Sequence, residues 1–329
     1  MRTSGIDKKH VRRKRTTSQY DWIKRHLGNL LEVKNRYLGE DSASPQDVEY
    51  GFWSLKKLIA INYLIPQFGR LALTGNFTHC FYLDVLAGSG VLRVEGDIFP
   101  GSAIVALAAE TTSPHFEKYY FIESDMAKAT LLKSRLDRVA ASLQNKQYEV
   151  TKENCNVALP RILNEIYRAD PEHSCFLALL DPEGYTETEW YTVETLLSRG
   201  KGDMIFNFTE GVARNVEKAK TDASYISSLR KYFGEAEENL LRLEGYEQLI
   251  DHFGTKLTLM NAIRRTVFRI DVRDEENRPL YGLLLATGST GFANIMNDLK
   301  RRLDSTRSRE LKNIYYELTG RSKSLDNYR

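Results

Sequence analysis

The chain has 329 residues, 42% hydrophobic and 28% charged, with a net charge of +3, which is ordinary globular composition and enough length for one large α/β core with additions or two small domains. No apolar run nears the roughly 20 residues of a membrane helix, and the first residues lack a signal peptide's hydrophobic region, so a cytoplasmic protein with no membrane contact is expected. The three cysteines, Cys80, Cys155 and Cys175, are far apart in apolar or strand-like surroundings, and no two of the six histidines have ligand spacing. They fit reduced interior thiols, with neither a disulfide framework nor a metal site.

The net charge conceals an asymmetry. Residues 1–36 carry eleven Lys/Arg against three acids and residues 299–329 nine against four, which leaves −10 for the stretch between. Basic ends on an acidic body suit contact with nucleic acid or another polyanion through the termini; a solvated tail and a solvated helix face account for them as well.

In chain order, 1–18 contains KKHVRRKRTTS and too few apolar groups to pack, which reads as a flexible basic arm. The spacing of Trp22, Ile23, Leu27, Leu30, Leu31 and Val33 predicts an amphipathic helix over 20–38, ended by the polar break GEDSASPQD. A second helix is expected from about Glu49 to Pro66, with Lys56 and Lys57 facing either a ligand loop or water.

The stretch FYLDVLAGSG, 81–90, is the most informative. A strand from His79 to Asp84 opens into a loop of small residues, Ala87, Gly88, Ser89 and Gly90, whose backbone can approach a ligand closely at the carboxyl edge of an α/β sheet. It lacks the Gly-Lys-Ser/Thr of a P-loop and the third glycine of a dinucleotide fingerprint, so a cofactor without phosphates, S-adenosylmethionine, is the candidate; a plain turn is the duller reading. Pro100-Gly101-Ser102-Ala103 then opens an apolar helix through Ala109, where Gly101 and Ser102 offer backbone amides and a hydroxyl to a carboxylate or simply cap the helix.

A second strand, 119–122, ends at Glu123, an acid placed to accept hydrogen bonds from ribose hydroxyls, while Asp125 caps the next helix. A third strand, 148–151, runs into KENCN, with Asn154 placed toward an adenine edge and Asn156 as helix cap. The fourth, 175–180, is apolar throughout, as strands covered on both faces are, and stops at Asp181-Pro182-Glu183-Gly184-Tyr185. Asp181 there faces the cofactor's reactive end and can accept a hydrogen bond from an acceptor amine, with Pro182 fixing the turn; Asp-Pro-x-Gly is also a common surface turn. A strand at 203–208 follows, then a charged helical insertion at 210–250, a lid or a decoration. A helix around 256–264, an antiparallel hairpin of 266–272 with 280–287, a basic helix at 292–303 and a charged tail complete the chain.

Five β/α units and a final hairpin are the layout of class I S-adenosylmethionine methyltransferases, a Rossmann-like sheet. Within that class the sequence resembles the three-Cys-motif partner proteins, TcmP, on Trp53-Ser54 and Lys57, YLDVLAGSG at 82–90, GSAIVAL at 101–107, FIESD at 121–125, ENCN at 153–156, LLDPEG at 179–184 and LYGLLLAT at 280–287. These pieces span about 50–300 in the family's order. The family's cysteine motif belongs to a partner protein resembling radical-S-adenosylmethionine enzymes, and the three cysteines here are not that motif. A more distant likeness is to ribosomal-RNA adenine methyltransferases with Asp-Pro-Pro-Tyr; here Asp-Pro-Glu-Gly lacks the aromatic that stacks on a flipped base, for which Tyr185 is the substitute.

The resemblance implies cofactor contacts from Asp84, Ala87, Gly88, Gly90, Glu123 and Asn154, catalytic positioning by Asp181 and Pro182, and acceptor contacts from Lys57, Ser102, Glu183 and Tyr185. Three functions are compatible: a methyltransferase acting on nucleic acid or on the partner protein, a non-catalytic methyltransferase-fold subunit, and, less well matched, a nuclease, whose carboxylates would have to cluster more tightly. The expected boundaries are a basic arm (1–18), a helical extension (19–78), an α/β domain (79–304) with its insertion at 210–250, and a basic tail (305–329).

Overall fold

The structure, a computed structural model, describes residues 18–39, 41, 43–109, 116–143, 146–198, 201–260 and 264–321. Apart from Ser18, the expected basic arm lies outside them. The strands are β1 (Glu49–Tyr50), β2 (His79–Asp84), β3 (Val91–Val94), β4 (Asp97–Pro100), β5 (Lys118–Ile122), β6 (Tyr148–Thr151), β7 (Ser174–Leu180), β8 (Gly202–Thr209), β9 (Thr266–Arg273) and β10 (Pro279–Thr287). The helices are α1 (Gln19–Tyr37), α2 (Leu55–Thr74), α3 (Ser102–Ala108), α4 (Met126–Ala141), α5 (Cys155–Ala169), α6 (Trp190–Ser198), α7 (Gly211–Ala219), α8 (Ile226–Phe233), α9 (Glu237–Leu240), α10 (Gly245–Leu259), α11 (Thr290–Asp304) and α12 (Ser308–Thr319).

Seven strands form one sheet in the order β6-β5-β2-β7-β8-β10-β9. Neighbours from β6 to β8 are parallel and β10 is antiparallel to both β8 and β9, so β10 alone runs against the others. This is the mostly parallel Rossmann-like sheet with a reversed strand that the sequence layout implies. Chain order turns back on either side of β2, so the crevice beyond the carboxyl ends of β2, β5 and β7 is the topological switch point.

Alternation along the strands divides the core in two. Cys80, Tyr82, Cys175, Leu177 and Leu179 pack with α1–α4, α11 and α12 on one face. Phe81, Leu83, Phe176, Ala178 and Leu180 pack with α5–α10 on the other. Both faces are covered, which is why β7 is buried at every position.

Four expectations change. The predicted second helix starts later and ends later: Glu49–Tyr50 is a short strand, Phe52–Ser54 a 3₁₀ turn, and α2 runs through Pro66 to Thr74. A proline inside a helix removes a backbone bond, but Leu64, Ile65, Phe68 and Ala72 are buried on either side of it and hold the helix together. The hairpin β3–β4, turned by Glu95 (φ +48°) and Gly96 (φ +80°), pairs with β1 in a second, three-stranded sheet that the sequence reading left as loop. The insertion helices lie on the sheet's second face through Leu229, Tyr232, Phe233, Leu249 and Phe253, and none of their residues lines the cavity at the switch point.

Finally, the expected tail contains α12. Its Leu311, Ile314 and Tyr315 are buried, and Tyr315 lies against Phe52 and Phe99 at ring distances of 5.3 and 5.5 Å. The i, i+3, i+4 apolar stripe was present in the sequence but was masked by its basic neighbours. Among the described residues no helix is long and apolar enough to cross a membrane, and the three cysteines are buried.

Candidate functional site

A cavity of about 290 Å³ opens at the switch point. Its floor is the loop after β2, where Gly88 (φ +63°) and Gly90 (φ +82°) take the left-handed conformation that favours glycine. A Cβ on Gly88 would meet nothing within 4 Å, so its open side faces the cavity; one on Gly90 would lie 2.8 Å from Leu132. Behind the loop, the Gly101 N–H donates to the Gly90 carbonyl at 2.7 Å, and a Cβ on Gly101 would stand 2.8 Å from the Gly90 backbone. Gly101 is therefore required for close approach of two chain segments. Its amide is engaged rather than offered to a ligand, and Gly101, not Ser102, is the N-cap of α3, so the expectation of a free amide fails for Gly101. Ser102 still lines the cavity.

Glu123 lies at the end of β5, 8% exposed. Its two oxygens accept from Gly88 N–H at 2.9 Å and Asp125 N–H at 2.8 Å, which fixes the carboxylate against the glycine loop with acceptor capacity left toward the cavity. Asp125 caps α4, as expected.

Asn154 lines the cavity but is itself the N-cap of α5, accepting from Asn156 N–H at 2.9 Å. Asn156 instead accepts from the Thr192 hydroxyl, so the cap role expected for Asn156 belongs to Asn154, and one acceptor of Asn154 is already in use. The neighbouring Cys155 thiol, a further lining group, is pushed up by burial to about 11.

At the end of β7, one oxygen of Asp181 takes the Lys57 ammonium and the other takes the Asn207 amide N–H at 2.7 Å. Lys57 faces the cavity from the start of α2; Lys56 is 3% exposed and reaches the Asp271 carbonyl at 3.4 Å. Neither lysine points to water, because α2 is packed between α1, α11 and the sheet. Burial pushes Lys56 down to about 8. Pro182 is buried, and Glu183 at the rim is paired with Lys128 at 3.3 Å. Tyr185 does not line the cavity: its hydroxyl bonds Ser228 at 2.8 Å and its ring meets Tyr232, so it anchors the insertion and is no stacking platform.

Asp84 also departs from expectation. It is fully buried and lies behind the cavity wall rather than on it. Neither of its oxygens completes a hydrogen bond of normal geometry, although the Ser102 hydroxyl and the Leu86 N–H lie close enough to favour the ionised form. Burial dominates, assisted by Asp181, and pushes its carboxyl up to about 7. Glu123 and Asp181 thus share one hollow with the glycine loop, and Asp84 supports it from beneath.

The sequence reading missed the outer wall. Gln46, Val48 and Tyr50 line the cavity from the N-terminal extension, and Lys128 and Glu187 from α4 and the β7–α6 connection. The Tyr50 phenol is raised by burial and by Glu183, Asp181 and Glu187, and its ring is perpendicular to Trp53 at 5.6 Å. Tyr50, three residues before the Trp53-Ser54 singled out above, was the nearest sequence signal.

No family model matches the sequence, and none of the curated proteins matches it. Among solved structures the fold is similar to Trm1 from Pyrococcus horikoshii in complex with S-adenosyl-L-methionine, at 12% identity and TM-score 0.39 over 74% of this chain and 57% of that one. It is also similar to an O-methyltransferase from Bacillus cereus in complex with SAH, at 10% identity and TM-score 0.38 over 83% and 93% of the two chains. A third is magnesium protoporphyrin IX methyltransferase from Synechocystis PCC 6803 with bound SAH, at 9% identity and TM-score 0.37 over 82% and 98%. The chain spans only 57% of the length of the Trm1 structure. At these identities and scores the likeness assigns no activity or ligand to this chain.

Proposed function

We propose that the chain binds S-adenosylmethionine and is a methyltransferase of the three-Cys-motif partner type. The observation that carries this reading is the charge of the glycine-floored cavity. Its lining carries four carboxylates, Glu123, Asp181, Glu183 and Glu187, against two lysines, Lys57 and Lys128, which are held by Asp181 and Glu183. Such a lining repels the phosphates of a dinucleotide or a nucleoside triphosphate and suits a ligand carrying a sulfonium and an ammonium group. The open face of Gly88 and the free acceptor capacity of Glu123 fit an adenosyl group.

Bound there, the cofactor would supply an electrophilic methyl group. Glu123 would hold the ribose diol, Ala87, Gly88 and Gly90 would allow close backbone approach, and Asn154 would stand at the base edge. Asp181, braced by Lys57, Asn207 and the rigid Pro182, would orient the acceptor by accepting its N–H; positioning of this kind supplies much of the rate in such transfers. The acceptor is nucleic acid, drawn by the basic termini, or a radical-S-adenosylmethionine-like partner protein, and the reaction is placed in the cytoplasm.

One observation favours a second reading, a subunit without chemistry of its own: both oxygens of Asp181 are already engaged, and Tyr185 is turned into the insertion. Calorimetric titration with S-adenosylhomocysteine tests the cofactor reading. Micromolar binding that Glu123→Gln weakens about tenfold supports it, and a silent titration with folded wild-type protein refutes it. Transfer of labelled methyl to RNA or to a co-purified partner, lost in Asp181→Ala, separates the enzyme from the silent subunit.

A further inference from the structure

Residues 43–50 lead to the 3₁₀ turn before α2 and meet the glycine loop from outside. Asp47 is 3% exposed, Ser89 4% and Arg135, on α4, 1%. The Arg135 guanidinium forks onto the Asp47 carboxylate at 2.7 and 2.8 Å. The Ser89 hydroxyl donates to the same carboxylate at 2.6 Å, and Arg135 donates to the Ser89 carbonyl at 3.0 Å. The residue between Gly88 and Gly90 is therefore held by its side chain and its backbone between two buried ions. Burial works against the Asp47 charge, but Arg135, Ser89 and the Ser44 N–H hold its carboxyl below the ordinary range.

From this anchor the segment continues along the cavity. The Val48 carbonyl accepts from Arg93 N–H at 2.9 Å, and β1 pairs with β3, the strand that leaves the glycine loop. Gln46, Val48 and Tyr50 thereby line the same cavity as Glu123 and Asn154. A buried ion pair is a poor source of net stability, because both ions lose their water, but its fork geometry fixes relative position. The position it fixes here is that of the loop on the cavity floor.

We infer that residues 43–50 are a strap belonging to the cofactor site, and that Asp47 is a positioning residue which, through Arg135 and Ser89, holds the Gly88–Gly90 loop in its binding shape. The inference rests on the cofactor reading for the identity of the ligand, and on the ion network alone for the loop. A free loop must be ordered by the ligand, and that ordering weakens affinity.

The test titrates S-adenosylhomocysteine into the full chain carrying Asp47→Asn, Ser89→Ala or Asp41→Asn. Asp41 belongs to the same network, accepting from Arg135 Nε at 3.1 Å and from Arg138 at 2.8 Å, but no bond links its side chain to the loop. Asp47→Asn is expected to raise the dissociation constant about tenfold and Ser89→Ala, which keeps the ion pair, a few-fold, while Asp41→Asn lowers the urea midpoint and leaves affinity unchanged. Equal affinity in wild type, Asp47→Asn and Ser89→Ala overturns the inference. If wild type does not bind the compound, the cofactor reading fails by itself, and hydrogen exchange at the Gly88 amide then decides: faster exchange in Asp47→Asn but not in Asp41→Asn upholds the strap, and unchanged exchange in both overturns it.

Discussion

Asp84 makes the site's electrostatics measurable. Its carboxyl titrates near 7 in the folded chain against an ordinary value of 3.8, because it is buried without a well-made hydrogen bond and Asp181 is close by. The folded state therefore keeps a proton that the unfolded state has released between these values, and the stability Asp84 contributes is fully present below pH 3.8 and lost as pH rises through 7. Three pKa units at 1.36 kcal/mol each make the loss about 4 kcal/mol. Asp84→Asn has nothing to titrate. It carries a constant penalty of about 1–3 kcal/mol for a buried amide without partners, so the information lies in the pH dependence of the difference and not in its offset. Urea unfolding of both proteins from pH 4 to 8 should show the variant gaining on wild type by about 4 kcal/mol, with most of the change between pH 4.5 and 7. Asp203, buried and pushed up by burial to about 6, titrates in both proteins and cancels. A difference that is flat across this range refutes the reasoning, because the Asp84 proton would then not be linked to folding.

Three further outcomes follow from the geometry. Gly101→Ala places a Cβ 2.8 Å from the Gly90 backbone and should cost about 1–3 kcal/mol in urea unfolding, together with weaker S-adenosylhomocysteine binding in calorimetry, since the displaced segment is the cavity floor. Lys57→Met strips Asp181 of its cation and should cost about 3 kcal/mol by the same unfolding assay, with part of the loss recovered in the Lys57→Met/Asp181→Asn double variant. Native Cys155, held near 11 by burial, should react with a disulfide reagent at pH 8 about a hundredfold more slowly than an ordinary thiol, and faster as pH is raised toward 11.

The strands were legible because each obeys one local rule. β2, β5, β7 and β8 are short runs with apolar centres that end in or just before acids or small polar residues, and β7, covered on both faces, is buried throughout. The glycine loop was legible for the same reason, since its two left-handed residues sit in a conformation that favours glycine. What failed was whatever depends on which of two competing roles a residue takes. Asn154 and Asn156 are equally good caps by composition, and the choice is made by Thr192, 36 residues away, which occupies Asn156. Tyr185 follows the Asp-Pro turn as a stacking residue should, but Ser228 and Tyr232 on α8 draw it away from the cavity. Pro66 reads as a helix end until the burial of both flanks is known.

Residues 43–47 show how a segment with a buried ion can read as a spacer. GEDSASPQD has the composition of a solvated break, yet Asp47 within it is among the most buried acids described. Its partner, Arg135, lies 88 residues further on, in a helix whose other residues alternate normally between core and surface. A charged residue at either place is unremarkable on one sequence alone. Only their coincidence beside Ser89 reveals the buried network, because two charges can leave water together when each satisfies the other, and neither can leave alone. Surface loops and buried networks draw on the same polar residues, so composition cannot tell them apart. The boundary expected at residue 78 therefore follows composition, whereas the cavity draws its outer wall from Gln46, Val48 and Tyr50 on the far side of that boundary.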